Sequence, residues 1–207
     1  MKDLIIVGGG SFAKEALEII QQMNAARPQW NILGFIDDGV EVGTIVFRGY
    51  RVIGTIKDWV VKDSDNFAFG ISRPHTKEIL YNLLKGRGAR FATIIHPETH
   101  IPEGTVIGEG CVISRAWIGI DVVLGKCVNV AGSMIGESSI DDFSTTTGFA
   151  NVAGATLGKR VFVGSHAVIL NGKKVGDDAV VAAGSVVFSH VKPGITVWGN
   201  PAKKINL

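Results

Sequence analysis

The chain is poor in the residues that mark several protein classes. It has 6 prolines among 207 residues, and 19% of its residues are charged against 46% hydrophobic. A disordered or collagen-like chain carries more proline and fewer core formers. Its 21 basic and 19 acidic residues leave a net charge of +2, without the one-sided field that nucleic acid attracts. No run approaches the ~18 apolar residues of a membrane span. Met1-Lys2-Asp3 leads into four apolar residues before Gly8, too few for the core of a signal peptide. Cys111 and Cys127 are the 2 cysteines. They make neither a disulfide framework nor a zinc set, and they read as small core residues in a reducing cytosol. No group of His, Cys, Asp and Glu has metal-ligand spacing, so no metal is expected. These absences predict a cytoplasmic chain that neither binds nucleic acid nor inserts into a membrane.

Glycine, by contrast, is abundant, at 27 residues against a usual ~7%. Many glycines in an apolar chain imply many tight turns between short buried segments. The first part alternates strands and helices. Leu4-Ile5-Ile6-Val7 reads as a buried strand that stops at Gly8-Gly9-Gly10. A helix follows over roughly 12–24, with Ser11 as its side-chain cap and Phe12, Ala16, Ile19, Ile20 and Met23 on one face. Ile32–Ile36 reads as a second strand ending in the turn Asp37-Asp38-Gly39. Phe67–Ile71 reads as a third strand. His75–Lys85 has helical spacing through Ile79, Leu80, Leu83 and Leu84, and Phe91–Ile95 is a further strand closed by His96-Pro97. This alternation predicts a small parallel sheet with helices on both faces.

Near residue 97 the period changes. Ile101, Ile107 and Ile113 are six apart, as are Ile118, Leu124 and Val130, and then Leu157, Val163, Ile169, Val175, Val181 and Val187. Glycine follows many of them, as at Gly108, Gly119, Gly125, Gly158, Gly164 and Gly176. A period of six fits neither a helix nor a simple strand. It is the signature of a solenoid of hexapeptide units, three to a triangular turn. About five turns are expected. The division is drawn at residues 1–97 and 98–207.

The Gly8–Ser11 loop follows a strand and opens a helix, where backbone can approach a ligand and phosphate is favoured. Asp37-Asp38 ends the next strand, where a carboxylate can meet a ribose or base. The unit is nevertheless short for a full dinucleotide fold, and its loop also reads as a plain tight turn.

Gly8–Glu15, Gly34–Asp38, His96-Pro97, the hexapeptide series and the ending Gly199-Asn200-Pro201-Ala202-Lys203-Lys204-Ile205 occur in that order. Together they resemble the NeuD/PglD family of bacterial sugar acyltransferases. The resemblance implies an α/β Rossmann-like domain followed by an all-β left-handed parallel β-helix. It implies a homotrimer that uses acetyl-coenzyme A to acetylate a nucleotide-linked sugar in surface-glycan biosynthesis. It puts substrate contacts at Gly10, Ser11, Phe12, Asp37, Asp38 and Gly70, with Phe12 standing where many relatives have histidine. Coenzyme contacts fall at Ser165 and Ala183, with Thr145 nearer the thioester; the charge of Lys203 and Lys204 suits either the coenzyme's phosphates or a solvated C-terminal tail.

Acetyl transfer from a thioester needs a base for the acceptor's proton and a group to hold the oxyanion. In the family a histidine is the base and a carboxylate orients it. The matching segment, Ser133–Phe143, contains no histidine. Its carboxylate, Glu137, survives, and Ile135 and Ile140 are five apart, one residue short of the repeat. Three readings stay open. Glu137, or Asp141 or Asp142, is the base; His166, in the regular turns, has taken over; or the chain binds ligands or acts as a trimeric scaffold without turnover.

Overall fold

The computed structural model describes residues 1–205; Asn206 and Leu207, the end of the expected second domain, lie outside the described residues. Leu4, Ile5, Ile6 and Val7 have no exposed surface, and they form the centre of strand β1 (Lys2–Val7). An unbroken apolar run suits a strand covered on both sides. β1 pairs in parallel with β2 (Trp30–Ile36) and with β5 (Asp65–Phe69). Strands β3 (Ile45–Phe47), β4 (Tyr50–Gly54) and β6 (Arg90–Phe91) complete a six-stranded sheet of order β3-β4-β2-β1-β5-β6. Helix α1 (Ser11–Ala26) buries Ala13, Ala16, Leu17, Ile19 and Ile20.

Four local expectations change. Gly10, not Ser11, occupies the cap of α1, and no side chain closes it. Ser11 is already the first helical residue, one position late for capping. The hairpin β3–β4 was not foreseen. Its turn has positive φ at both Arg48 (48°) and Gly49 (84°), as a two-residue type I′ connection requires. The strand expected over Phe91–Ile95 divides: Arg90–Phe91 joins the sheet through β5, whereas Ile94–Ile95 pairs with Val112–Ile113. Finally, helix α2 (Pro74–Gly86) buries Lys77, Tyr81 and Leu84, while Ile79 is 66% exposed. The expected apolar face is rotated because α2 is covered by a second body as well as by the sheet.

That body is a coil of five turns. Its short parallel strands stack into three faces. The first face runs Val106–Ile107, Val123–Leu124, Ser139–Ile140, Thr156–Leu157, Lys174–Val175. The second begins at Ile94–Ile95 and passes through Val112, Asn129, Thr145, Phe162 and Val180 to Thr196. The third carries Trp117–Ile118, Met134–Ile135, Asn151, Val168–Ile169 and Val186–Val187. The second residue of each pair points inward, so Ile113, Leu124, Val130, Leu157, Val163 and Val181 fill one core.

Each edge of this prism has its own column of left-handed residues, about one per turn. Gly110, Cys127, Phe143, Arg160 and Asp178 mark the edge between the first and second faces; Gly132, Phe149, His166 and Gly184 the next; Asp121, Glu137, Gly154 and Gly172 the last. Helix α2 lies along the first of these edges. His75 and Asp178 are 3.1 Å apart, Glu78 and Arg160 are 3.2 Å apart, and Lys85 and Glu109 are 2.8 Å apart. Tyr81 meets the Phe143 ring edge-on at 5.4 Å. The lengths match: 13 helical residues span about 20 Å at ~1.5 Å each, and four turns at ~4.8 Å span about 19 Å. Arg160 also grips both oxygens of Asp178, at 2.6 and 2.9 Å, and holds that carboxyl below its ordinary range.

Two glycines separate packing from freedom. A Cβ on Gly70 would lie 2.5 Å from Ala13 Cβ and 2.7 Å from its Cα, whereas one on Gly86 would meet nothing. Urea titration is expected to show Gly70→Ala destabilised by about 1–3 kcal/mol, and Gly86→Ala unchanged or up to ~1 kcal/mol more stable.

Candidate functional site

The chain reverses its direction across the sheet at β1, which has β2 on one side and β5 on the other. In parallel sheets ligands bind outside the carboxyl ends of the strands at such a point. Gly10, Ser11, Phe12, Asp37, Asp38 and Gly70 all belong to the segments that leave the ends of β1, β2 and β5. They do not share one role. Asp37 accepts from the Gly9 amide at one oxygen and from the Gly39 amide at the other, each at 2.7 Å. Its carboxylate shapes the glycine loop. Asp38 accepts from the Lys57 amide at 3.1 Å. Gly70 gives α1 its close approach to the sheet. Gly10 and Ser11 remain exposed, with half-buried Phe12 beside them. No atom would lie within 4 Å of a Cβ on Gly10, and the first turn of α1 has neither a side-chain cap nor an acidic residue. Unclaimed helix N–H groups favour an anion there.

On the coil, three candidates share the edge between the second and third faces. Ser165 Oγ lies 3.2 Å from Thr147 Oγ1. His166 is exposed at φ 59°, and the next turn brings Ala183 so close that its nitrogen would be 2.5 Å from a Cβ on Gly164. Glu137 is exposed on a different edge, that between the third and first faces. Glu137 and His166 are therefore apart within one chain, while Asp141 accepts from the Asp142 amide at 2.7 Å and Asp142 from the Lys126 amide at 2.8 Å. Thr145 departs furthest from expectation. It is 1% exposed, it donates to the Ser72 carbonyl at 2.7 Å, and it accepts from Lys77 Nζ at 2.9 Å. The sheet body covers its face of the coil, so its hydroxyl has no free direction toward a coenzyme.

Sequence reasoning missed Lys77, Asn129 and Phe149. For Lys77 a signal existed: Lys77, Leu80, Tyr81 and Leu84 follow helical i, i+3, i+4, i+7 spacing. Phe149 takes φ 60° where Gly132 and Gly184 serve the same edge. It stacks near His166, ring centroids 5.1 Å apart, and is 74% exposed. His96, set at the junction, is buried, and its Nδ1 accepts from the Glu98 amide at 3.1 Å. Burial, aided by Arg115, pushes its imidazole below the ordinary range. No cluster of potential metal ligands exists among the described residues.

Since a left-handed bulky residue costs about 1–2 kcal/mol and an exposed aromatic contact returns ~0.5 kcal/mol, Phe149→Gly is expected to raise stability by about 1 kcal/mol. A lower urea midpoint would contradict this account.

Residues 3–84 match the PglD N-terminal domain family. The chain is 29% identical over 213 aligned positions to GDP-perosamine N-acetyltransferase of Escherichia coli O157:H7, covering 97% of this chain and 95% of that one. Its fold is that of the acetyltransferase domain of PglB from Neisseria gonorrhoeae, solved with acetyl coenzyme A (22% identity, TM-score 0.88, 99% of both chains). A variant of perosamine N-acetyltransferase from Caulobacter crescentus, solved with CoA and GDP-perosamine, is similar throughout (21% identity, TM-score 0.87, 100% of this chain and 98% of that one).

Proposed function

The chain belongs to the NeuD/PglD family of hexapeptide acetyltransferases, and we propose that it moves the acetyl group of acetyl-coenzyme A onto the amine of a nucleotide-linked sugar. The observation that carries this reading is the match to GDP-perosamine N-acetyltransferase along almost the whole of both chains. It takes in both the phosphate-favouring end of the sheet and the coil.

The open N-terminus of α1 suits the pyrophosphate of the nucleotide sugar, with Gly10 and Ser11 supplying backbone and Phe12 an apolar side. Coenzyme A supplies an activated thioester, and a narrow coil edge suits its arm. Gly148 and Ser165 are half-buried and Ala183 is exposed there, and Lys203 and Lys204 are exposed in the last strand for its phosphates. As the new N–C bond forms and the C–S bond breaks, a base must take the amine's proton. Histidine is suited to that at neutral pH and a carboxylate much less so. His166 shares the edge of Ser165 and Ala183, which favours it as the base.

Glu137 enters through assembly. The third face exposes Trp117 (56%) and Met134 (48%), an apolar strip between the two edges that hold His166 and Glu137. Three copies packed on this strip around one axis bring the His166 edge of one against the Glu137 edge of the next, a homotrimer with the site between subunits. We place the enzyme in the cytoplasm, where acetyl-coenzyme A and nucleotide sugars are made; no described helix is long and apolar enough to cross a membrane.

Incubation with acetyl-coenzyme A and UDP-, GDP- and dTDP-linked amino sugars is expected to release free thiol. His166→Ala should lower kcat about 100-fold or more, and Glu137→Gln less. Coenzyme binding without thiol release from any acceptor would instead support the absent histidine of Ser133–Phe143 as a loss of turnover. Sedimentation at micromolar concentration should give a trimer, and a stable monomer would remove the shared site.

A further inference from the structure

Lys77 has no exposed surface. Its Nζ donates to the carbonyls of Cys127 at 2.8 Å and Ser144 at 3.0 Å and to the hydroxyl of Thr145 at 2.9 Å. An ammonium has three N–H donors, and three acceptors meet them. Burial pushes this group down to about 7, but the three bonds are those of its charged form. None of the ion pairs among the described residues involves Lys77. A buried cation without a counter-charge is a costly way to dock a helix. It is also redundant here, because α2 is already fastened by Glu78, Tyr81 and Lys85.

Through Thr145, Lys77 also connects to the segment after β5. Thr145, which accepts from Lys77, donates its own hydroxyl to the Ser72 carbonyl. One turn away, Asn129 donates to the Ile71 carbonyl at 2.9 Å. Asn129 and Thr145 are in register with Val112 on one outward column of the coil, and they are polar on the two turns that meet Ile71 and Ser72. Asn129 gains little for the coil itself, since its Oδ1 is buried without a partner. Ile71 in turn walls the glycine loop: a Cβ on Gly8 would lie 2.6 Å from its side chain. A continuous set of contacts therefore joins Lys77 and the coil to the end of the sheet that receives the nucleotide.

We propose that Lys77 is a positioning residue for acetyl transfer, holding Gly70–Ser72, and with it the bound acceptor sugar, in register with the coil edge that presents the thioester. This rests on the transfer reading above. The tie sets geometry rather than affinity, so its loss separates kcat from KM.

The test compares Lys77→Met, of similar length but without donors, with Thr145→Val, Thr145→Ser and the control Glu78→Gln, using acetyl-coenzyme A and the best acceptor of the panel. Lys77→Met and Thr145→Val are expected to lose at least ten-fold in kcat with the coenzyme KM within two-fold of wild type. Thr145→Ser, which keeps the hydroxyl, should retain activity, and Glu78→Gln should change kcat less than two-fold. Hydrogen exchange should quicken at residues 70–73 in the first two variants alone. A kcat within two-fold of wild type in Thr145→Val, or an equal loss in Glu78→Gln, overturns the proposal. If Lys77→Met does not fold, the Thr145 pair decides. If the wild-type chain releases no thiol, the transfer reading fails separately. The tie is then judged by exchange, and unchanged protection at 70–73 overturns it.

Discussion

Register between turns of the coil is the constraint on which the rest of the structure depends. Each turn places an apolar side chain directly on the one below, as in the pairs Leu124–Ile140 and Ile140–Leu157. The carbonyl and amide groups of neighbouring turns then bond in parallel ladders along the first two faces, and through single bridges at Asn151 on the third. The turn containing Ser133–Phe143 is one residue short between Ile135 and Ile140, yet both pair in register. At this corner the Ser138 hydroxyl donates to the Gly136 carbonyl at 2.7 Å. Register, rather than equal turn length, is what the core requires.

Register also sets the edges. One left-handed residue per corner stacks into a column, and a column is straight enough for a straight helix to lie on. Helix α2 does so along Cys127, Phe143, Arg160 and Asp178, with a reach that matches the rise of the turns. That docking takes Lys77 out of water and sets the segment after β5 over Thr145 and Asn129 on the second face. It leaves the third face and its two edges open. The proposed base candidates His166 and Glu137 both lie on edges that α2 does not occupy, and the end of the sheet proposed to take the acceptor is held to the coil by hydrogen bonds at Ile71 and Ser72.

Polar residues in buried positions follow the same logic. Ser133 and Thr146 meet inside the coil at 2.9 Å and satisfy each other, which serves the coil alone. Lys77, Asn129 and Thr145 spend their donors outward, on another part of the chain. Burying them is tolerated because each donor finds an acceptor: Lys77 the carbonyls of Cys127 and Ser144 in the stacked turns, Asn129 and Thr145 those of Ile71 and Ser72 after β5.

Much of this was legible in the order of residues. The six-residue spacing of Ile107, Ile113, Leu157, Val163 and their kin announces the coil, because hydrophobic recurrence is a local property and survives any docking. The run Leu4–Val7 into Gly8-Gly9-Gly10 announces the strand and the open helix end for the same reason. The hairpin at Arg48-Gly49 was hidden, since arginine seldom signals a left-handed turn. The face of α2 was misjudged because a lysine in a helix ordinarily belongs to solvent. Sequence spacing by itself determined the strand–helix alternation of the first part, the six-residue coil of the second, and the glycine loop and Asp37-Asp38 turn that follow β1 and β2. Which face of the coil is covered, and so where Thr145 points and how far Glu137 stands from His166, was decided only by tertiary structure. Those relations depend on the meeting of α2 with a column of corners far away in the chain, and no short-range pattern encodes that contact.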